Sequence, residues 1–215
     1  MQPPKSAICV ICGIRPATTD EHVPPKGFFK GLSGQFRTVP SCSRCNNDSS
    51  YDDEALRFYI SAQLGKRTES TKLLWEKGAH KSILRSTKLR FTFLNTLQEV
   101  AAKNLNGETI SHLAFLVPES LYQRVFERVT RGLYFWHRGI ILPASTPVKI
   151  NLLLNTPDLD DPELMLFESN SIADDAFEYK YGIDPQDSCN SLWIFGLHKS
   201  HWIKASTGLL TCDVC

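Results

Sequence analysis

Two short cysteine pairs in the first 50 residues have the spacing of metal-binding knuckles. Cys9 and Cys12 form the first pair and Cys42 and Cys45 the second, and a two-residue spacer lets both thiolates of a pair reach one ion. The pairs are separated by 29 residues, more than the roughly 15–20 of a simple zinc ribbon, so a further element is inserted between them. The spacing predicts one structural Zn²⁺ with four thiolate ligands, and four unrelated buried or redox-active thiols are the alternative.

The other three cysteines do not complete a second site of this kind. Cys212 and Cys215 have the same two-residue spacer, and Cys189 stands alone. One pair supplies only two of the four ligands that a structural zinc needs. We therefore place these three thiols outside the predicted mechanism.

The insertion between the knuckles carries a group of polar residues that could do acid–base or metal chemistry. Asp20, Glu21 and His22 stand together at the end of a strand-like run, and Pro24 and Pro25 follow. Proline cannot continue a central strand or a helix, so the two prolines define the end of the strand and the start of a loop. The sequence therefore predicts that these three side chains lie at a strand end.

A helix is predicted after the second knuckle. Apolar residues between 51 and 64 recur with helical spacing. Ser49 or Ser50 is the expected N-cap, and Asp52, Asp53 and Glu54 then fall in the first turn, where the helix dipole favours negative charge.

Together these motifs resemble a known family. The elements C-x-x-C, Glu-His-Val-x-Pro and C-x-x-C-Asn, within about residues 9 to 60, are similar to the zinc-ribbon HNH endonucleases of the ββα-metal (His-Me finger) superfamily. The resemblance covers about a quarter of the chain. It implies a metal-dependent endonuclease that hydrolyses DNA phosphodiester bonds and leaves 5′-phosphate and 3′-hydroxyl ends.

The resemblance also implies roles for individual residues. His22 is expected to be the general base, because a neutral imidazole takes a proton from water near pH 7. Glu21, with Asp20 as the alternative, and Asn46 are expected to ligate Mg²⁺ or Mn²⁺, since hard oxygen ligands suit these ions. The zinc is expected to be purely structural, because four thiolates leave no position for water.

The chain departs from the family pattern in two places, and an alternative function stays open. The middle Asn of the family has no obvious counterpart, since Arg37 or Thr38 occupies that region. The Lys that commonly follows the last knuckle is replaced by Ser49 or Ser50. Asp52 or Glu54 is a further candidate ligand. The alternative is a non-catalytic zinc module that binds nucleic acid or a protein partner, in which His22 is inert.

The remaining sequence predicts an α+β fold in which the finger, residues 1–64, precedes a larger accessory domain, residues 65–215. Residues 51–105 read as helices, at 56–64 in the finger and at 71–77 and 81–103 in the basic part of the accessory domain, 65–105, with a break expected near Arg90. Its second part, 106–215, has strand-type runs at 111–117, 148–154, 177–181 and 193–198, a helix from Pro118 to about Phe135 and a loop at 155–161.

Charge is concentrated in two stretches. Residues 66–90 contain eight basic and two acidic residues, and residues 158–187 contain ten acidic residues and one lysine. We expect the basic stretch to contact nucleic-acid phosphates and the acidic stretch to dock a protein partner, with solvated surfaces as the alternative for both. The predicted phosphate-contacting residues are Lys26, Arg44, Lys66, Arg67, Lys72, Lys81 and Arg85.

Other features are predicted to be structural. His198 and His201 lie beside tryptophans, which is typical of a packed sheet end, and no second active site is expected from them or from His137. The aromatic run 134–136 could stack on bases, but after an amphipathic helix it is more often core. No apolar run approaches the roughly 20 residues of a membrane span and no secretory signal is evident, so we expect a cytoplasmic protein.

Overall fold

The computed structural model describes residues 6–63, 67–103, 106–173 and 176–208, and its architecture is α+β, as predicted. Three groups of elements follow one another along the chain. The first is a small finger, the second a set of short helices with a hairpin, and the third a long helix on a five-stranded sheet. Their bounds are β1 (Thr19–His22), β2 (Thr38–Ser41), α1 (Ser43–Ala62), α2 (Glu69–Leu74), α3 (His80–Arg85), α4 (Thr87–Asn95), β3 (Leu97–Lys103), β4 (Thr109–Phe115), α5 (Glu119–Arg138), β5 (Val148–Leu153), α6 (Pro162–Met165), β6 (Glu168–Ile172), β7 (Phe177–Ile183), β8 (Ser191–Leu197) and β9 (His201–Thr207).

The finger is an antiparallel hairpin followed directly by a helix. In the register of β1 and β2, Glu21 lies opposite Val39 and His22 opposite Thr38. A single 3₁₀ turn, Lys26–Phe29, lies in the long connection between the two strands. The finger therefore has the ββα order that the sequence predicted.

Helix α1 begins eight residues earlier than predicted. Its N-cap is Cys42, whose Sγ accepts a hydrogen bond from the backbone N of Cys45 at 3.4 Å. The predicted caps Ser49 and Ser50 and the predicted first-turn acids, Asp52, Asp53 and Glu54, lie well inside the helix, so that prediction was wrong. The segment 46–50 is rich in residues that favour turns and caps, and the second knuckle, which starts the helix, overrides this local preference. Leu64, the predicted end of the helix and of the finger, lies outside the described residues.

The basic part of the chain, 65–105, contains helices, as predicted, but its last residues, 97–103, were predicted wrongly. Helix α2 runs through one π-helical turn, Trp75–Ala79, into α3, and Gly78 has a φ of 110° in that turn. Ser86 then caps α4 by accepting a hydrogen bond from the backbone N of Leu89 at 3.2 Å. Residues 97–103, which have good helix-forming composition, are strand β3 and pair along their whole length with β4. Strand pairing decides their conformation, which is a tertiary effect.

In the third group, helix α5 and three of the five strands were predicted. Helix α5 ends at Gly139, which has a φ of 68° and donates its backbone N–H to the carbonyl of Phe135 at 2.8 Å. The sheet is antiparallel throughout, in the order β5-β9-β8-β7-β6. Of the four predicted strands, three correspond to β5, β7 and β8 of this sheet and one to β4 of the hairpin in the second group. The predicted loop at 155–161 precedes the short helix α6. Strands β6 and β9 were not predicted.

One hydrophobic core joins the finger to helix α5 and the sheet. It includes Val23 and Phe29 of the finger, Phe126 of α5 and Phe195 of β8. The finger packs closely on α5 at Gly132, where an added Cβ would lie 2.4 Å from Cγ1 of Val23. His198 and His201 are buried in this body, as predicted. Among the described helices, none is both long and apolar enough to cross a membrane.

Candidate functional site

The four knuckle cysteines come together in a single cluster. All four Sγ atoms lie within 4.8 Å of one another, and Cys9 and Cys42 are buried. Tetrahedral coordination with Zn–S bonds of about 2.3 Å places the sulfurs about 3.8 Å apart, so a small contraction is enough to close the site. The cluster could therefore hold a structural metal such as zinc. Within the described residues it is the only such group of three or more His, Cys, Asp or Glu side chains.

The backbone of each knuckle explains this convergence. Gly13 has a φ of 64°, and its N–H donates to the carbonyl of Cys9 at 2.8 Å, which closes the turn of the first knuckle. The N–H of Val10 donates to the carbonyl of Pro40 at 2.9 Å and so ties the first knuckle to β2. The second knuckle is the first turn of α1, which places Cys42 and Cys45 opposite the first pair.

Arg15 contacts the cluster and was not predicted. Its Nε donates to Cys42 Sγ at 3.2 Å and its Nη2 donates to Cys45 Sγ at 3.3 Å, and these contacts raise the pKa of the guanidinium. Four thiolates around Zn²⁺ carry two net negative charges, so a cation at this position lowers the cost of holding them together. The sequence signal was a cation three residues after Cys12.

The predicted catalytic residues line one cleft beside the cysteine cluster. Its volume is about 410 Å³, and Glu21, His22 and Asn46 all contribute to its wall. Strand β1 supplies the first two and the first turn of α1 supplies the third. The structure thus brings together residues that are up to 25 positions apart in sequence. Its polar wall also includes Asp20, Lys26, Lys30, Ser49, Ser50, Asp53, Glu54, Arg57 and Arg85.

His22 is held neutral at the edge of this cleft. The side chain is half-buried, and its ring meets the ring of Phe36 edge-on, with the centroids 6.5 Å apart. Burial lowers the pKa of His22, and the nearby charge of Lys26 lowers it further. A neutral imidazole at neutral pH can accept a proton, which is what a general base requires.

Asn46 ties helix α1 to strand β1. Its Nδ2 donates to Thr19 Oγ1 at 3.2 Å and to the carbonyl of Asp20 at 3.1 Å. Both donors therefore point at the strand that carries His22, which leaves Oδ1 as the atom for a cation. The amide positions the strand, which is a role that the sequence did not predict for this residue.

Glu21 is buried and paired with an arginine from α5. Its Oε1 accepts from Arg128 Nη1 at 3.0 Å, and the other terminal nitrogen of Arg128 donates to Asp53 Oδ1. Burial raises the pKa of Glu21 to about 7, and Arg128 only partly opposes that effect. Burial likewise raises the pKa of Asp53. The pattern of the sequence gave no signal for Arg128, which is 107 residues away from Glu21.

The other candidate carboxylates have different surroundings. Asp20 is exposed at the cleft, and Asp52 lies outside it, where both carboxylate oxygens accept from Arg124, at 2.7 and 2.9 Å. Glu54 lies at the cleft, where its Oε1 is 3.7 Å from Arg57 and 3.6 Å from Arg85. Asp53, rather than Asp52 or Glu54, is thus the α1 carboxylate that shares a partner with Glu21.

The predicted phosphate-contacting residues divide into two groups. Lys26 and Arg85 line the cleft, together with Lys30 and Arg57, which were not predicted. Arg44 pairs with Asp48 at 3.4 Å, and Lys72 pairs with Glu69 at 2.5 Å, both on the surface. Arg67 lies over the ring of Trp75, Lys81 is exposed, and Lys66 lies outside the described residues. Cys212 and Cys215 also lie outside them.

The acidic stretch 158–187 contains α6, β6 and β7, in so far as it is described. Lys180 is turned inward, since its Nζ donates to the carbonyl of Leu159 at 2.7 Å. Docking of a protein partner on this stretch stays a prediction.

Comparison of the chain with protein-family models, curated proteins and solved structures found no match.

Proposed function

We propose that the chain is a metal-dependent endonuclease of the HNH type, which hydrolyses DNA phosphodiester bonds next to a zinc-supported finger. The observation that carries this proposal is the convergence of His22, Glu21 and Asn46 on one cleft. Cations from the inter-strand loop, α1 and α3 line the same cleft. Hydrolysis of a phosphodiester needs a base to activate the attacking water. Because the phosphodiester is an anion, the site also needs positive charge to bind it.

His22 is the base in this proposal. Because its pKa is lowered, the imidazole is mostly neutral at neutral pH and can accept a proton. The cleft gives water access to the half-buried ring. The ring takes the proton of the attacking water, and its contact with Phe36 restricts its orientation. Asn46 supports the same step indirectly, because its two hydrogen bonds fix the strand end on which His22 lies.

The oxygen donors of the cleft fit a hard divalent cation. Glu21, Asp53 and the Oδ1 of Asn46 offer carboxylate and amide oxygens, which Mg²⁺ and Mn²⁺ prefer. The pKa values of Glu21 and Asp53 are raised because burial disfavours their negative charge, so added positive charge beside them is favourable. A cation bound there supplies Lewis-acid stabilisation to the scissile phosphate and the leaving oxygen.

Lys26, Lys30, Arg57 and Arg85 are proposed to bind the phosphates that flank the cut. All four line the cleft, and Lys26 lies directly beside His22. Contacts of this kind position the backbone of the nucleic acid without reading its sequence. Zn²⁺ at the four cysteines is proposed to be structural, because its coordination sphere is complete.

The test is plasmid cleavage with Mg²⁺ or Mn²⁺ by the wild type and by His22→Ala, both matched for zinc content. His112→Ala is the matched control, since His112 is exposed on β4, outside the cleft. We expect cleavage by the wild type and the control and a loss of at least about 100-fold in His22→Ala. Equal cleavage by all three proteins would refute the assignment of His22.

A non-catalytic module that binds nucleic acid is the second candidate function, and the contacts of Arg128 favour it. This guanidinium already neutralises the two carboxylates that a cation would need. In that case the wild type binds DNA and cuts none, and His22→Ala binds as well as the wild type does. The same set of proteins therefore distinguishes the two functions.

A further inference from the structure

A second cavity lies behind the candidate active site. Its volume is about 700 Å³, and it is lined by the start of β2, the end of α5 and strand β6. Phe36 forms part of its wall and also contacts His22. Thr38, which pairs with His22 across the finger hairpin, lines it as well. The cavity is thus one side chain away from the proposed general base.

Aromatic rings and a guanidinium form the wall of this cavity. Arg37 lies over the ring of Trp136, 5.5 Å from its centroid, and over the ring of Tyr179 at 5.3 Å. Its Nη2 also donates to Asn170 Oδ1 at 2.9 Å. Trp136 is half-buried, unlike its neighbours Tyr134 and Phe135, which are core residues as predicted. The cavity therefore presents flat, π-rich surfaces whose position is set by contacts behind them.

A directed network of hydrogen bonds holds this wall rigid. Tyr181 donates its O–H to Glu168 at 2.5 Å, so its oxygen accepts from His137 Nδ1 at 3.0 Å. The Nε2 of His137 is then the acceptor for Tyr179, at 2.8 Å, and for Arg37 Nη1, at 3.2 Å. Burial lowers the pKa of His137 to about 4, in agreement with a neutral ring that donates once and accepts twice.

Two side-chain amides in the cavity can form hydrogen bonds with the polar edge of a heterocycle. The Nδ2 of Asn170 can donate, and the amide of Gln35 at the rim can both donate and accept. A volume of about 700 Å³ is within the range of small-ligand sites. Unpaired nucleobases are bound in this way, by stacking on aromatic rings and arginine planes and by amides at their edges.

We propose that this cavity, the Arg37–Trp136 pocket, binds an unpaired base of single-stranded DNA beside the scissile phosphate. The proposal rests on the proposed function in so far as it takes the cleft at His22 to be the phosphate site. It narrows the substrate class to DNA with at least one unstacked base, because a base can enter a pocket of this kind only after it leaves the stack, and leaving a continuous duplex costs unstacking energy.

The test measures binding and does not depend on cleavage. Fluorescence anisotropy of the full, zinc-loaded chain without Mg²⁺ or Mn²⁺ compares a labelled oligo-dT with an abasic oligomer of the same length, which carries the same charge without bases. We expect oligo-dT to bind at least about tenfold more tightly, and a duplex of the same length to bind no better than the abasic oligomer. Trp136→Leu removes the stacking surface but keeps an apolar side chain, so this difference should fall to less than about twofold.

Two further variants keep the test decisive. Phe91→Ala removes an aromatic ring that is 67% exposed on the basic helix α4, and it should preserve the preference for bases. Gln35 lies at the exposed rim of the pocket, so Gln35→Ala does not disturb the core. This variant should weaken the binding of oligo-dT but not that of the abasic oligomer. The proposal is overturned if the wild type binds oligo-dT and the abasic oligomer equally, if it binds neither, or if a folded Trp136→Leu keeps the full preference. Binding of oligo-dT without cleavage of either the plasmid or the oligo-dT in Mg²⁺ or Mn²⁺ would refute the endonuclease and leave this pocket standing.

Discussion

At the residue scale, the least expected feature of the cleft is the arginine that joins its two carboxylates. Arg128 contacts Glu21 and Asp53 at once, and its side chain is only 12% exposed. Even so, burial raises the pKa of Glu21 to about 7. Desolvation of the carboxylates thus outweighs their attraction to the guanidinium, which is common for buried ion pairs. The negative charge of Glu21 and Asp53 and the positive charge of Arg128 are therefore close to balance, and binding of one cation would shift that balance.

Removal of Arg128 is predicted to destabilise the fold in a pH-dependent way. In Arg128→Leu two buried carboxylates lose their partner, which costs about 3–5 kcal/mol of unfolding free energy at pH 8. A carboxyl whose folded-state pKa lies above its unfolded value binds the proton more readily in the native state, so its contribution to stability falls as pH rises from about 4.5 to 7. The pKa rises further in the variant, so its deficit should shrink at pH 5.5. Urea unfolding at both pH values measures this.

Arg124→Leu is the matched control for that measurement. Arg124 also pairs with a carboxylate of α1, Asp52, but its side chain is 52% exposed. An exposed pair of this kind contributes about 0–1 kcal/mol. Equal deficits for the two variants, or the same deficit of Arg128→Leu at both pH values, would contradict the account of Glu21 and Asp53.

At the scale of elements, helix α1 connects the cysteine cluster to the cleft. Cys42 caps it and Cys45 lies in its first turn, while Asn46, Asp53 and Arg57 line the cleft further along. Cleft-lining positions spaced three or four residues apart share one face of a helix. The orientation of that face is therefore set where the helix begins, at the second knuckle.

Loss of one knuckle thiol is predicted to release the metal and to loosen the finger. Cys42→Ser removes a thiolate ligand but keeps a side chain that can cap the helix, because a serine hydroxyl can also accept a hydrogen bond from the backbone N–H of residue 45. The variant therefore tests the metal, since a structural zinc contributes folding free energy directly. We expect about one zinc per chain in the wild type, less than about a tenth of that in the variant, and a lower melting temperature. Cys189→Ser, at a half-buried cysteine outside the cluster, should keep both values. Metal analysis after gel filtration decides the point, and full zinc content in Cys42→Ser would refute the site.

At the scale of the whole molecule, His198 connects the sheet to the finger and to α2. It lies between β8 and β9 with a φ of 54°, and its Nε2 donates to the carbonyl of Phe28 at 3.0 Å. Its Nδ1 accepts from Ser70 Oγ at 2.9 Å. Burial lowers the pKa of His198 to about 4, so the folded protein holds it neutral. Three segments that are far apart in sequence thus meet on one uncharged ring.

Protonation of this histidine is predicted to destabilise the protein in acid. Between about pH 6.5 and 4 the unfolded chain binds the proton more readily than the native state does, so the unfolding free energy falls as pH falls, by up to about 3 kcal/mol. His198→Asn accepts the positive φ but does not titrate, so it should be less stable at pH 7.5 and show a shallower dependence on pH. Unfolding in urea at pH 7.5, 6 and 5 tests this, and identical slopes for the two proteins would refute it.

Local sequence patterns determined several parts of this protein. The spacing of Cys9, Cys12, Cys42 and Cys45 predicted their cluster, because a knuckle is a local turn that brings two thiols to one point. The apolar stripe of α5 and the strand-type runs of β7 and β8 predicted those elements, since one face of each packs on the same core. The grouping of Glu21, His22 and Asn46 was expected only from the family resemblance, and all three line one cleft.

The tertiary structure alone decided the start of α1, the strand β3 and the partners of the candidate site. A cysteine cap and a strand with helix-forming composition depend on contacts with other segments, and local preference is weak beside such contacts. Arg128 reaches Glu21, and Trp136 reaches Arg37, only because α5 packs against the finger, where Gly132 lets Val23 approach. A charge or a ring acquires its partner, its burial and hence its pKa from such packing, and no periodicity in the sequence encodes which distant side chain that will be.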